Sequence, residues 1–154
     1  KDPFCFSLKF IYRDLNLMFG KQLFKDKYNK MTGYTQPTLW CNELNAGNLE
    51  PLLECYSNDA ILFATFKAEP ITTPQGIRDY FTAFLAREEA GVKFDESTTI
   101  QHDISENVYS CNGLYEFFYC ENEELIRHAA RFTFIVEVDH KHLIRHHHSS
   151  IIPT

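Results

Sequence analysis

The sequence has little with which to staple itself, hold nucleic acid or cross a membrane. Its five cysteines, Cys5, Cys41, Cys55, Cys111 and Cys120, include no CxxC pair. Neither a structural zinc site nor a dense disulfide framework is therefore indicated, and reduced thiols are expected. The 15 lysines and arginines form no run or stripe and the net charge is −6, so the footprint that nucleic acid binding needs is missing. No stretch approaches the ~18 apolar residues that span a bilayer, and the N-terminal run FCFSLKFIY is short and carries Lys9. A soluble domain with neither a nucleic-acid nor a membrane partner is expected. The first residue is Lys rather than Met, which reads as a processed, excised or vector-derived start.

What is present is aromatic. Phe occurs 14 times and Tyr 8 times in 154 residues, and 44% of the chain is hydrophobic. A chain of this length makes one domain burying roughly 68–70% of its unfolded surface. Residues 1–34 mix Phe, Leu, Lys and Asp without a clean period and read as an N-terminal extension or helical arm; residues 35–154 read as the domain proper.

From Gln36 the periodicity sharpens. Pro37 suits a first helical turn, Leu39, Trp40 and Leu44 recur at helical spacing, and Ala46-Gly47-Asn48 closes the segment. A second short helix is expected over 49–56, a turn at Ser57-Asn58-Asp59, a strand over 60–66, a loop over 69–76 and a third helix from Ile77 to about Glu89. Strand patterns follow at 94–103, 107–120, 125–138 and 142–152, which predicts an antiparallel meander covered by helices, an α+β layer.

In the last strand alternation separates Ile144, His146, His148 and Ser150 from Arg145, His147 and Ser149. Apolar Ile144 should meet the core and charged Arg145 should not, so this reading aims His148 and Ser150 inward. Thr65 and Tyr80 are hydroxyls placed to reach the same interior, with Tyr115 as a third. The outward set Arg131, Thr133, Ile135, Arg145, His147 and Ser149 would then form a homodimer face. His146 and His148 are spaced to share an ion, with His140 and His142 nearby, but no carboxylate or cysteine at fixed spacing completes a ligand set. No metal and no cofactor are expected.

Taken together, WCNELNAGNLEPLLECYSNDAILFAT (40–65), GIRDYFTAFL (76–85), GLYEF (113–117), ARFTF (130–134) and HHHSSIIP (146–153) resemble a known family. It is the bacterial and algal branch of the calcium/calmodulin-dependent protein kinase II association domains, in the nuclear transport factor 2-like superfamily. The resemblance implies a cystatin-like cone, a curved antiparallel sheet packed on N-terminal helices and closing around a small pocket. The HHHSS-x-x-P ending is similar to that of the iota-class carbonic anhydrases, some of which work without metal. It implies reversible hydration of carbon dioxide to bicarbonate at a site of hydroxyls and a histidine. On this reading His148, Ser150, Thr65 and Tyr80 are catalytic, and Tyr115, Phe84 and Phe134 hold the substrate. The alternative is a non-catalytic oligomerisation or small-ligand-binding module, since kinase association domains multimerise through the sheet. Family members usually occur as dimers or rings of dimers. The compartment stays open between plastid, periplasm and cytoplasm.

Overall fold

A computed structural model of the chain describes residues 35–138 and 141–153. The expected arm over 1–34, and His140, lie outside the described residues. Helix α1 spans Thr35–Asn45, helix α2 Leu49–Leu53, strand β1 Tyr56–Phe63 and helix α3 Pro74–Leu85. Strands β2 (Glu88–Ser105), β3 (Val108–Glu121), β4 (Glu124–Val138) and β5 (His142–Ile151) follow.

Local chemistry sets these elements. Helix α1 stops where Gly47 takes φ 69°, a left-handed conformation that costs glycine nothing. Helix α3 starts at Thr73, whose hydroxyl accepts from the Gly76 amide, with Pro74 in the first turn; it buries Ile77, Phe81 and Phe84 along one stripe. Helix α1 is bolted to β2 by Asn45, whose side chain donates to Val92 O at 2.9 Å and accepts from Val92 N at 2.7 Å. That docking needs glycine next door, because a Cβ on Gly91 would lie 2.5 Å from the Phe118 ring and 3.0 Å from Asn45 Oδ1.

The five strands form one open sheet in the order β1-β5-β4-β3-β2. The last four pair antiparallel as expected, whereas β1 lies parallel to β5. The expected turn at Ser57-Asn58-Asp59 belongs to β1, and β2 begins at Glu88 rather than Phe94. Hydrophobic side chains from the helices and one sheet face form a single core around Trp40. Among the cysteines, Cys41, Cys55 and Cys111 are free, but Cys120 is disulfide-bonded, which corrects the expectation of reduced thiols there.

Candidate functional site

The parity of β5 is reset by a bulge. Val136 of β4 pairs with Ile144 and the next residue back, Ile135, pairs with His146, so two steps on β5 match one on β4 and Arg145 is the extra residue. Arg145 and His146 both turn away from the core, and alternation resumes one residue out of phase. His147 and Ser149 are therefore the interior pair, 2% and 5% exposed, while His148 is exposed and Ser150 half-buried on the opposite face. The inward assignment of His148 and Ser150, and the outward assignment of His147 and Ser149, are corrected by this bulge. Two exposed ion pairs, to Asp59 and Glu137, hold the Arg145 side chain outside.

His147 sits between two phenols. Tyr56 Oη is 2.8 Å from Nδ1 and Tyr115 Oη is 3.1 Å from Nε2. The indole N–H of Trp40 donates to Tyr56 Oη at 2.8 Å. An indole can only donate, so the Tyr56 oxygen accepts from it and its own proton is free to go to Nδ1. The Nε2–H then faces Tyr115. The result is a directed chain of hydrogen bonds, Trp40 to Tyr56 to His147 to Tyr115.

At its far end lie Thr65, in the turn just past β1, and Ser149 of β5, whose hydroxyls bond each other. Burial pushes the Tyr115 phenol well above its usual value, opposed by the hydroxyls of Ser149 and Thr65 beside it. Burial likewise raises Tyr56 and holds the His147 imidazole well below its usual 6.5, with smaller repulsions from His146 and His148. His147 is thus a neutral imidazole, its resting tautomer set by the Trp40–Tyr56 pair.

Rings pack around this chain. Phe134 lies with its centroid 4.4 Å from that of His147, and Trp40 packs on Phe81, Tyr115, Phe117, Phe134 and His147. The structure thus gathers Thr65, Tyr115 and Phe134 from the sequence reading. Tyr80 lies on α3 against Phe81, bonded to the backbone of Phe66, with its phenol pushed up to about 12 by burial. Phe84 is farther out, against Phe66 and Phe117. The reading missed Trp40, Tyr56, His147 and Ser149 as site residues. His147/Ser149 and His148/Ser150 have the same spacing, and only the bulge decides between them.

On the outer face His148, Ser150, Arg131 and Thr133 line a shallow depression of ≈ 500 Å³ with Ile100 and Leu114. Ser150 accepts from Arg131 Nε at 3.0 Å. His146 and His148 flank the exposed Phe63 ring, with centroids 5.7 and 5.8 Å away. Among the described residues no group of three or more His, Cys, Asp or Glu side chains is placed to hold a metal ion.

Many solved structures match this fold. The structure is nuclear transport factor 2-like. A Xanthomonas campestris protein provisionally described as a calcium/calmodulin-dependent protein kinase II association domain is 28% identical, with a TM-score of 0.66 over 74% of this chain and 81% of that one. A Streptomyces avermitilis protein described as a dehydratase of the NTF2-like family is 9% identical, with a TM-score of 0.67 over 78% and 93%. A ketosteroid isomerase-like protein from Erwinia carotovora is 10% identical, with a TM-score of 0.61 over 78% and 93%. The last two show a shared fold alone. No protein-family model matches the chain, and no match is found among curated proteins.

Proposed function

We propose that the NTF2-like chain hydrates carbon dioxide to bicarbonate in the manner of the iota-class carbonic anhydrases, with His147 and Ser149 in place of His148 and Ser150. The observation that carries this reading is the buried chain from Trp40 through Tyr56, His147 and Tyr115 to the paired hydroxyls of Thr65 and Ser149. The same HHHSS ending that suggested the activity supplies the histidine and one hydroxyl.

The resting polarity, set by Trp40, aims donors outward toward Thr65 and Ser149. There they can donate to an oxygen of carbon dioxide as it gains charge. Each hydroxyl also accepts, so the chain can reverse, with Nδ1–H turned to Tyr56 and Nε2 open toward Tyr115. In that polarity a water at Thr65 and Ser149 loses its proton along the hydroxyls and Tyr115 to Nε2 as its oxygen bonds the carbon. The products are bicarbonate and an imidazolium. Burial disfavours that imidazolium, so the proton returns outward instead of accumulating. Phe134 and Phe84 supply apolar wall, and Tyr80 closes the side next to Phe66.

Stopped-flow hydration of carbon dioxide after exhaustive chelation tests the proposal. A rate above the uncatalysed one that drops on His147→Gln is expected; a wild-type rate equal to the uncatalysed one ends it. The assembly-module alternative is not favoured by the comparisons. We propose in addition a homodimer through the outer sheet face. Arg131, Thr133, Ile135 and Arg145 lie there as expected, joined by His148 and Ser150, with exposed Ile100 and Leu114 as its apolar members.

A further inference from the structure

Cys120, near the end of β3, is disulfide-bonded, whereas Cys41, Cys55 and Cys111 are free thiols. The sequence holds one further cysteine, Cys5, which lies outside the described residues. Within a single chain the bond can go nowhere else.

The position of Cys120 decides what such a bond would pin. Strand β3 pairs with β4 residue for residue from Val108 to Glu121 without a shift, so its alternation is unbroken. Tyr115 and Phe117 face the helices and belong to the core, which places Leu114, Glu116, Phe118 and Cys120 on the outer face. There Leu114 is 38% exposed, and Glu116 is engaged in an exposed ion pair with Arg127. Phe118 and Cys120 are only 5% and 6% exposed on that same face, although neither belongs to the core around Trp40. The Phe118 ring lies across Gly91, where a Cβ would come within 2.5 Å of it, and half-buried Leu125 pairs with Cys120. Phe118, Cys120 and Leu125 thus make an apolar patch at one end of the outer face, shielded from water by something other than the core.

The sequence around Cys5 has chemistry to match. It reads Phe4-Cys5-Phe6, with Leu8, Phe10 and Ile11 close behind. The chain between Cys5 and Thr35 can extend to roughly 100 Å, so reach sets no bar.

We propose that this end of the outer face is the docking surface for the chain's own residues around Cys5, fixed there by a disulfide between Cys5 and Cys120. The bond joins the two Sγ atoms as two thiols lose two protons and two electrons to a disulfide oxidant, which is reduced to thiols. The flanking phenylalanines bring apolar surface to Phe118 and Leu125. The Ile100 and Leu114 end of the face stays open to a second copy. The docking holds whether or not the chain hydrates carbon dioxide.

The full chain, equilibrated with glutathione disulfide, blocked with N-ethylmaleimide and digested without reductant, tests the bond by mass spectrometry. A peptide pair joining Cys5 to Cys120, two hydrogens lighter than the separate thiol peptides, and a single-chain band on a non-reducing gel are expected. A thiol at Cys120, a bond from Cys120 to any other sulfur, or a covalent dimer would overturn the proposal. The docking is read separately, from the alkylation rate of the Cys120 thiol in folded variants of the full chain. In Cys5→Ser it should stay shielded, and adding Phe4→Ser and Phe6→Ser should speed alkylation about 10-fold or more as the apolar cover loosens. Equal rates in the two variants would refute the docking surface even with the bond found in wild type.

Discussion

The Tyr56 hydroxyl stands 2.8 Å from Nδ1 of His147, joining the first strand to the last across 91 residues of chain. With the Trp40 indole on its other side, this phenol sets the resting tautomer of His147, with the proton on Nε2.

His147→Gln should lower carbon dioxide hydration by about 10²–10⁴-fold, the usual contribution of a positioned acid or base, while His148→Gln leaves it close to wild type. Stopped-flow rates on folded, purified variants measure both. Equal losses in the two variants would contradict the facing that the Arg145 bulge imposes.

Trp40→Phe removes the donor that sets the polarity. The His147 tautomers, read from 15N shifts of the imidazole, should shift from mostly Nε2–H toward a mixture. Stability should fall by about 1–3 kcal/mol in denaturant titration, from lost packing and a lost buried hydrogen bond. An unchanged tautomer ratio would show that the indole does not direct the chain.

The His147 imidazole is held below its ordinary 6.5 by burial, and the sign of the pH dependence follows. The unfolded chain takes up a proton near the ordinary value while the folded one does not, so the contribution to stability is complete above 6.5 and is lost as pH falls toward the depressed folded value. Thermal melts should show a declining midpoint over that window, reduced in His147→Gln. The hydration rate, which needs the neutral imidazole, should stay level as pH drops through 6.5 until the folded protein itself protonates.

Deleting Arg145 removes the bulge and restores simple alternation with His147 and Ser149 still inward. The variant should fold with His147 still bonded to Tyr56, losing about 1 kcal/mol or less from its exposed ion pairs. Deleting His148 and Ser149 together instead turns Ser150 outward, leaves no inward serine beside His147 and should abolish hydration. Amide spectra and rates for the two deletions separate these outcomes.

Light scattering should give about twice the 18.0 kDa chain mass at micromolar concentration, and Leu114→Arg should return the monomer by placing charge in the outer face. A wild-type monomer would refute the homodimer.

Much of the fold was legible because its signals are local. Pro37 and Gly47 bracket α1, the spacing of Ile77, Phe81 and Phe84 marks α3, and the hydrophobic runs with short turns mark the meander. Thr65, Tyr115 and Phe134 were readable as neighbours in the interior for the same reason. What could not be read depends on neighbours. The bulge at Arg145 is a mismatch between two strands, and neither strand carries it alone. Tyr56 looked like the end of a helix because its partner His147 is distant in sequence. The parallel placement of β1 is likewise a long-range fact, written in no single segment.

That parallel placement also orders events in time. Thr65 meets Ser149 across 84 residues and Tyr56 meets His147 across 91, so no part of the hydrogen-bonded chain between them exists until β5 docks against β1. Closing such loops is slow compared with forming the adjacent hairpins of β2, β3 and β4. During synthesis the helices and the meander can assemble while the last strand is still in the ribosome, and His147 is left in water as an ordinary histidine. Only the arrival of β5 desolvates it, so the imidazole's departure from ordinary titration marks the completion of the sheet.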